Sequence, residues 1–338
     1  MPTTFAILGA GAWGTAIAVL LAQNSRYRVR LWGARPESAA ELIARRENVA
    51  LLPGIAIPQT VEITADAGQA VANADLVIAA VPTVYMRATL QPLATTVLPA
   101  VPVLSLAKGV ENDTFQRPTE IIAELWRTER VAVLSGPSHA EEVSRGLPAS
   151  LVAASADLDL AQWVQQHFSG ERFRVYTNLD VVGVELAGAL KNVLAIAAGI
   201  SDGLGFGDNA KAALLTRGLV EMARFGVALG AEHATFSGLA GLGDLITTCF
   251  SPHGRNRRVG QRLAAGESLD AIVRGTQTVA EGVYTARSVY TRARQMGVEM
   301  PIVAEVYRVL YENKSPRQAV SDLMLRRPMH EHRAGRDS

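Results

Sequence analysis

A glycine-rich turn close to the N-terminus constrains the fold of this chain more than any other feature. The stretch AILGAGAWGTAIAVLLA (6–22) places Gly9, Gly11 and Gly14 between an apolar β-strand pattern and a helical run. The first glycine permits a tight turn, the second lets the backbone approach a pyrophosphate, and the third lets helix and strand pack closely. Because the N-terminus of the helix then faces the phosphates, this context predicts a dinucleotide-binding βαβ unit.

The first half of the chain alternates short apolar runs with helical stretches, as a parallel sheet covered by helices on both faces requires. The predicted strands are FAILG (5–9), RVRLW (28–32), DLVIAAV (75–81), VPVLSL (101–106), VAVLS (131–135) and ASLVAA (149–154), with FRVYT (173–177) as a candidate edge strand. From about residue 180 the pattern becomes helical. The sequence therefore predicts an α/β fold: a Rossmann-type doubly wound parallel sheet over residues 1–179, then an all-α domain over residues 180–338 with a frayed C-terminal tail.

Composition narrows the class of protein further. With 338 residues, 49% hydrophobic and 19% charged, the chain is typical of a compact globular protein, and a net charge of +1 gives no global reason to bind nucleic acid or an anionic membrane. A single cysteine, Cys249, excludes an internal disulfide framework and fits a reducing compartment. No signal peptide and no membrane span are visible, and His330 and His332 lie in a polar tail that is no metal site. We therefore expect a cytoplasmic protein without a metal.

One lysine interrupts the apolar stretch GVELAGALKNVLAIAAG (183–199). If this stretch is helical, the residues three, four and seven positions from Lys191 are all non-polar. The helix alone favours a lysine whose stem covers apolar surface while its ammonium group reaches water. The alternative is a desolvated amine with a lowered pKa, which suits proton transfer.

The second predicted strand ends at Trp32 and is followed by GARPE, with no acidic residue at the strand end. An acidic residue there is typical of NAD-binding proteins, whereas a cation such as Arg35 suits the 2′-phosphate of NADP(H). The loop therefore favours NADP(H). Glu37 leaves NAD(H) open, and a solvated loop cation is an equal alternative for Arg35.

Polar residues follow the carboxyl ends of neighbouring predicted strands, where ligands collect in open α/β sheets. Lys108 follows the fourth strand, and SGPSHA (135–140) lies at the end of the fifth. We expect Lys108, Gly136 and Ser138 to converge on one crevice. A lysine in that place suits an anionic ligand, and a surface lysine is the alternative.

The helical half contributes two further candidates. Asp244 lies in a glycine-flanked turn (GLAGLGDL), for which a capping or turn aspartate is the ordinary explanation. Arg255, Arg257 and Arg258 lie in a predicted loop (CFSPHGRNRRVG), where Arg255 and Asn256 suit capture of a phosphate or carboxylate, unless the loop is merely solvated. Hydride transfer to a carbonyl also needs a proton donor, and Lys191 with Asp244 is a plausible pair for that role.

Several motifs occur in order between about residue 4 and about residue 325. They are GAGAWGTA (9–16), AKG (107–109), SGPSHA (135–140), ELAGALKN (185–192), SDGLGFGDNAKAAL (201–214), GLGDL (241–245), RNRR (255–258) and VAEGVYTA (279–286). Together they closely resemble the bacterial NAD(P)-dependent glycerol-3-phosphate dehydrogenases. The resemblance implies reversible reduction of dihydroxyacetone phosphate to sn-glycerol 3-phosphate for glycerophospholipid synthesis, and a homodimer built on the helical domain.

The resemblance also implies roles for individual residues, with Lys191 as proton donor and acceptor and Asp244 beside it. Implied substrate contacts are Lys108, Gly136, Ser138, Lys191, Asp244, Gly254, Arg255 and Asn256. Implied cofactor contacts are Gly9, Gly11, Ala12, Trp13, Gly14, Arg35 or its neighbour Ala34, Lys108, Ala140, Arg255, Val279 and Glu281. Two positions depart from the family. Gly254 replaces a usual serine and Ala12 a common small hydroxyl residue, so each loses one side-chain contact.

Two other functions fit parts of this pattern. A β-hydroxyacid dehydrogenase with a Rossmann domain and a helical domain also uses a helix lysine, but RNRR after GLGDL favours phosphate recognition. A non-catalytic NAD(P) sensor shares the fold without the chemistry. A sensor needs none of Lys191, Asp244, Arg255 and Asn256, so their joint presence favours an enzyme.

Overall fold

The computed structural model describes residues 2–97, 99–275, 279–328 and 331. Its strands are β1 (Thr3–Leu8), β2 (Tyr27–Trp32), β3 (Glu47–Asn48), β4 (Leu52–Ala56), β5 (Val61–Thr64), β6 (Leu76–Ala79), β7 (Val103–Ser105), β8 (Val131–Ser135), β9 (Ala149–Ala154) and β10 (Phe173–Asn178). Its helices are α1 (Ala12–Leu21), α2 (Pro36–Arg45), α3 (Ala67–Val71), α4 (Thr83–Leu90), α5 (Pro118–Trp126), α6 (Ala140–Ser144), α7 (Leu158–Phe168), α8 (Val181–Gly203), α9 (Gly207–Ala228), α10 (His233–Phe236), α11 (Asp244–Phe250), α12 (Arg255–Ala264), α13 (Leu269–Arg274), α14 (Glu281–Met296), α15 (Pro301–Tyr311) and α16 (Pro316–Met324).

The N-terminal part is built on an eight-stranded sheet with the strand order β10-β9-β8-β7-β6-β1-β2-β5. Strand β1 lies between β2 and β6 and runs parallel to both. Phe5 and Ile7 of β1 enter one hydrophobic core while Ala6 and Leu8 enter another, so both faces of the sheet are covered. This double coverage explains why the strands read as continuous apolar runs. The Rossmann-type fold is confirmed, and every predicted strand is present with ends that differ by at most two residues.

Three features of the sheet did not follow from the sequence. Strand β9 runs antiparallel to β8, because the short helix α6 does not carry the chain back across the sheet as a parallel crossover requires. The edge strand β5 pairs with β2. A small hairpin, β3 with β4, lies outside the main sheet. The last two are too short to show a periodic pattern.

Helix α8 is the central helix of the C-terminal part. Asp180 caps it by accepting a hydrogen bond from the Gly183 backbone N–H (2.8 Å), and the same carboxylate accepts from the Glu232 N–H and the Thr235 hydroxyl. By length and composition α8 could cross a membrane, but 89% of its most apolar window is buried inside the protein. Its apolar character is therefore that of a core helix packed against its neighbours.

The predicted frayed tail begins after α16. Of its residues 326–338 the structure describes only 326–328 and 331, and His330 and His332 lie outside the described residues.

A buried carboxylate on α9 caps α15 from a distance. Glu221 accepts hydrogen bonds from the backbone N–H groups of Ile302 (2.9 Å) and Val303 (3.3 Å). These groups have no acceptor within α15, and the side chain of the N-cap residue Met300 does not supply one. Burial raises the pKa of Glu221 to about 7. The folded protein therefore binds the proton of the Glu221 carboxyl group more tightly than the unfolded chain does. This difference contributes to the free energy of unfolding at acid pH, and the contribution is lost as the pH rises from about 4.5 through 7.

We expect Glu221→Gln to remove this pH dependence, because a neutral amide keeps an acceptor for the backbone donors without titrating. Relative to wild type, the variant should gain up to about 3 kcal/mol in free energy of unfolding between pH 5 and pH 8. Urea unfolding followed by circular dichroism at several pH values measures the difference. Exposed Glu129→Gln is the control, and a Glu221→Gln curve parallel to wild type would contradict the assignment.

Candidate active site

The glycine turn lies where β1 meets α1, at the carboxyl edge of the sheet. Gly9 has φ +119°, and a Cβ there would come within 2.7 Å of the Ala80 carbonyl oxygen. A Cβ on Gly14 would meet the Gly9 carbonyl oxygen at 2.0 Å. Gly11 is the N-cap residue of α1, and a Cβ there would meet no heavy atom of the described residues within 4 Å. Gly9 and Gly14 thus allow close backbone packing, while Gly11 keeps the helix N-terminus approachable.

An asparagine outside the predicted motifs supports this turn. Asn48, in the small hairpin, donates from Nδ2 to the Ala10 carbonyl oxygen and to the Thr15 hydroxyl, both at 3.0 Å. Its residue is 5% exposed. Sequence reasoning missed Asn48, since a two-residue strand carries no periodicity to mark it.

The neighbouring residues of the predicted cofactor set surround the same turn. Ala12 opens α1 and Trp13 follows it; the indole Nε1 of Trp13 is buried and has no hydrogen-bond partner within the described part of the chain. Ala140 opens α6 and packs in one small core with Ala16 of α1. At the far end of β2, Arg35 is the exposed N-cap residue of α2, and Ala34 beside it is also exposed.

A buried lysine–aspartate cluster forms where the sheet meets the helical part. The Lys191 ammonium donates to Asp244 Oδ1 (2.7 Å) and to the Thr248 hydroxyl (2.6 Å). The Lys108 ammonium donates to Asp244 Oδ2 (2.8 Å), to the Gly136 carbonyl oxygen (2.9 Å) and to the Ser138 hydroxyl (3.1 Å). One carboxylate therefore bridges two ammonium groups contributed by opposite sides of the cleft.

This geometry decides between the interpretations that the sequence left open. Lys191 is 6% exposed and its ammonium ends in the protein, so it is not a lysine that reaches water. Asp244 is 2% exposed and stands in the first turn of α11, with Gly243 at the N-cap. Its carboxylate is committed to the two lysines, so the capping explanation is wrong. Lys108 is half-buried, and its ammonium group is paired within this cluster rather than free at the surface.

Burial and charge set the protonation behaviour of the cluster. Burial lowers the pKa of Lys191 to about 8, against the opposing effect of the Asp244 carboxylate. Burial works to raise the pKa of Asp244, but the Lys108 and Lys191 ammonium groups outweigh it and leave that pKa below its usual value. Asp244 therefore stays ionised at neutral pH, while Lys191 can give up and regain a proton near that range.

The basic segment expected as a loop is the start of a helix. Gly254 is the N-cap residue of α12, and Arg255 is its first residue and exposed. The segment is helical because its buried residues recur at helical spacing; they are Asn256, Val259, Gly260 and Leu263. The N–H groups of this first turn, with the Arg255 side chain, form an environment that favours an anion.

The Asn256 side chain has protein partners. Its Nδ2 donates to Asn192 Oδ1 (2.9 Å), and its Oδ1 accepts from the Gly282 backbone N–H (3.0 Å). Asn192 in turn donates to the Lys108 carbonyl oxygen (2.9 Å). The amide thus joins α12 to α8, α14 and the Lys108 loop, so it does not form the free fork beside Arg255 that the sequence suggested.

Glu281 connects α14 to the sheet domain. Its Oε1 accepts from the Thr83 backbone N–H at 3.0 Å. Burial raises the pKa of Glu281, while the Thr83 N–H and the charge of Arg255 oppose that shift. Val279, two residues earlier, is half-buried. Glu281 therefore stands beside the crevice from the helical side.

Three polar residues of the site were not singled out from the sequence. They are Thr248, Asn192 and Thr83. Thr248 carries a usable signal, because it lies four residues after Asp244 and so shares its helix face. Asn192 adjoins Lys191, but nothing in the sequence indicates that its amide reaches across to α12. Thr83 acts through its backbone, which leaves no side-chain pattern.

The residues around the glycine turn fit a dinucleotide. The turn leaves the N-terminus of α1 approachable at Gly11, and the buried Trp13 Nε1 is a donor without a protein acceptor among the described residues. Such a set can hold a pyrophosphate at the helix N-terminus and give the orphaned indole N–H a partner. Glu281 and Lys108 stand at the opposite end of the crevice, next to the Lys191–Asp244 cluster.

Comparisons with known proteins agree over nearly the whole chain. The family model described as NAD-dependent glycerol-3-phosphate dehydrogenase N-terminus matches residues 4–161, and the corresponding C-terminus model matches residues 180–321. A glycerol-3-phosphate dehydrogenase [NAD(P)+] of Chlorobium limicola is 49% identical over 329 residues, covering 96% of this chain and 98% of that protein. One of Moorella thermoacetica is 48% identical over 335 residues, covering 99% of each. The crystal structure of glycerol-3-phosphate dehydrogenase from Coxiella burnetii matches with a TM-score of 0.92 and 37% identity, covering 96% of this chain and 99% of that one.

Proposed function

Because this chain belongs to the NAD-dependent glycerol-3-phosphate dehydrogenase family, we propose that its buried cluster reduces dihydroxyacetone phosphate reversibly to sn-glycerol 3-phosphate with NAD(P)H. The enzyme is an NAD(P)-dependent oxidoreductase. The observation that supports the assignment of roles is the Asp244 carboxylate shared by Lys191 and Lys108 at 2.7 and 2.8 Å. It provides a proton donor and a second cation in one water-poor crevice.

Lys191 is the proton donor for the substrate carbonyl oxygen in the direction of reduction. A nicotinamide held in this crevice would supply the hydride to the carbonyl carbon. The Lys191 ammonium then donates its proton to the carbonyl oxygen, which gains negative charge. In the direction of oxidation the neutral amine accepts the hydroxyl proton. Asp244 and Thr248 orient the amine by fixing it at 2.7 and 2.6 Å, and Lys108 adds a positive charge near the developing alkoxide.

The substrate phosphate binds at the N-terminus of α12. The first turn of α12 presents backbone N–H groups that have no partner within the helix, and the exposed Arg255 guanidinium adds a charge-assisted donor. Gly254 contributes as the N-cap residue only, because its own N–H donates to the Ser251 carbonyl oxygen at 3.2 Å. Ser138 and the Gly136 loop complete the crevice through Lys108.

NADP(H) is the preferred cofactor in this proposal and NAD(H) a usable one. The support is the exposed Arg35 at the start of α2, beside the end of β2 where the ribose of a dinucleotide binds in this fold. No acidic residue occupies the strand end itself, since β2 stops at Trp32.

Arg35→Ala is expected to weaken NADPH binding roughly ten- to hundredfold and to leave NADH binding nearly unchanged, because only NADPH carries the 2′-phosphate. Fluorescence titration with each cofactor measures both constants. Arg45→Ala, at the other end of the same exposed helix, is the matched control. Equal weakening of NADPH and NADH would contradict the role of Arg35.

The reaction is tested by following NADPH oxidation on addition of dihydroxyacetone phosphate, with NADH in parallel. We expect rapid oxidation that is lost when unphosphorylated dihydroxyacetone replaces the substrate. Oxidation with a β-ketoacid instead would favour the related hydroxyacid dehydrogenases. Cofactor binding without any oxidation would favour the NAD(P) sensor.

We also place the enzyme in the cytoplasm as a homodimer built on the helical domain. The buried, unpaired Cys249 and the burial of α8 support the first part, and family resemblance supports the second. Light scattering on the purified protein measures the mass, and a monomer at working concentration would contradict the dimer.

A further inference from the structure

The segment SDGLGFGDNAKAAL (201–214) has no part in the site described so far, yet it carries a buried lysine paired with a half-buried aspartate. Lys211 is 5% exposed, and its ammonium donates to both carboxylate oxygens of Asp202, at 2.9 and 3.0 Å. The same carboxylate accepts from Nε of Arg257 at 2.5 Å. Asp202 at the end of α8, Lys211 on α9 and Arg257 on α12 therefore form one three-residue cluster.

This cluster holds both ends of the turn that precedes α12. Nη1 of Arg257 donates to the Ser251 carbonyl oxygen at 3.4 Å, and the Lys211 ammonium lies 4.4 Å from the centre of the Phe250 ring. The start of the turn from Ser251 to Gly254 is therefore held by the contacts of Phe250 and Ser251 with the cluster. Its end is held because Arg257, in the first turn of α12, is paired with Asp202. Gly254 and Arg255, where the phosphate is proposed to bind, lie between these points.

Close helix packing fixes the rest of α12 along α8. A Cβ on Gly199 would meet the Arg257 carbonyl oxygen at 1.9 Å, and a Cβ on Gly260 would meet the Ile196 carbonyl oxygen at 2.0 Å. The two backbones therefore touch, and α12 cannot slide without a clash. The remaining freedom is in the first turn of α12, which the cluster with Asp202 restrains.

We propose that Asp202, Lys211 and Arg257 are positioning residues that hold the N-terminus of α12 in the geometry that binds the substrate phosphate. Arg257 acts through the helix rather than on the substrate, because its Nε and Nη1 are committed to Asp202 and Ser251. Two cations share one anion, so the cluster also leaves one positive charge near the phosphate. This inference rests on the proposed function of the α12 N-terminus.

Arg257→Met tests the proposal against Arg258→Met, which removes an exposed arginine from the next position of the same helix. We expect Arg257→Met to raise the KM for dihydroxyacetone phosphate roughly ten- to hundredfold, since small displacements of a binding group are costly. The kcat and the NADPH dissociation constant should stay within about twofold of wild type. Arg257→Lys should recover most of the loss, and Arg258→Met should behave as wild type.

Asp202→Asn separates positioning from direct binding. If Arg257 or Lys211 bound the phosphate directly, freeing them from Asp202 would lower the KM. Positioning predicts that the KM rises, as in Arg257→Met, and that the preference for dihydroxyacetone phosphate over dihydroxyacetone falls with it. If Arg257→Met does not fold, Arg257→Lys and Arg257→Gln carry the same comparison, with thermal unfolding as the check.

Calorimetry with inorganic phosphate keeps this test independent of the reaction. Weaker phosphate binding by Arg257→Met than by Arg258→Met supports the positioning role of the cluster, whether or not the wild type reduces dihydroxyacetone phosphate. Failure of the wild type to reduce dihydroxyacetone phosphate would overturn only the proposed reaction. An unchanged KM with unchanged phosphate binding overturns the inference. So does a variant that loses NADPH binding and turnover of both substrates in parallel, which is the behaviour of a merely structural group.

Discussion

Replacing Lys191 with methionine is expected to reduce turnover of dihydroxyacetone phosphate by about 10²- to 10⁴-fold, the usual contribution of a general acid. Methionine keeps the apolar stem in its buried place on α8 but cannot donate a proton. NADPH affinity should stay within about twofold of wild type, because Lys191 contacts Asp244 and Thr248 and not the glycine turn. The loss should therefore appear in kcat.

The pH dependence of the wild type provides a second observable for the same residue. With a pKa of about 8, Lys191 loses its proton as the pH passes through that value. Reduction needs the ammonium form and should slow above this pH, whereas oxidation of sn-glycerol 3-phosphate needs the neutral amine and should accelerate. The opposite order in the two directions would contradict Lys191 as the titrating group.

The comparison needs steady-state rates in both directions and a fluorescence titration of NADPH for each variant. Lys314→Met is the control, because Lys314 is also ion-paired but lies between α15 and α16, away from the crevice. If Lys191→Met lost NADPH binding together with turnover, the lysine would be structural. If it retained near-normal turnover, another group would be the proton donor.

Replacing Arg255 with methionine is expected to raise the KM for dihydroxyacetone phosphate roughly ten- to hundredfold, as loss of a charge-assisted hydrogen bond predicts. Arg255 is exposed at the first position of α12, so its removal leaves no buried cavity, while the buried Glu281 carboxylate loses a nearby positive charge. The folded state should persist with unchanged thermal unfolding. The effect should vanish with unphosphorylated dihydroxyacetone.

Arg258→Met, one turn away on the same helix and equally exposed, removes the same charge and is the control for general electrostatics. NADPH affinity without substrate should change far less than the KM, although Arg255 also stands near Glu281. An unchanged KM would remove Arg255 as the phosphate anchor. An equal rise for Arg258→Met would indicate a diffuse field rather than a specific contact.

The sequence determined the parts of this protein whose signals are local. Gly9, Gly11 and Gly14 between strand and helix predicted the dinucleotide turn, and the contacts that a Cβ would make at Gly9 and Gly14 give the reason. The continuous apolar runs predicted the covered strands, because each run carries its own pattern. Strands that are too short to carry such a pattern were missed, namely β5 and the two strands of the β3–β4 hairpin.

The tertiary structure decided which charged residues meet and how deeply each is buried. In sequence, Lys191 had only apolar neighbours and Asp244 lay in a glycine-flanked turn. The prediction that they pair came from the chemistry and the family resemblance, and the structure brings them to 2.7 Å from different helices. Arg257 and Asn256 looked like a basic loop beside Arg255, yet one is paired with Asp202 and the other joins three elements. The free energy of a charge depends on its burial and its partners, and those are set by contacts between residues far apart in the chain. A backbone turn, in contrast, is fixed by residues next to one another. This is why the sequence by itself determined the dinucleotide turn and the covered strands, whereas only the tertiary structure decided how the charged groups of the site are buried and paired.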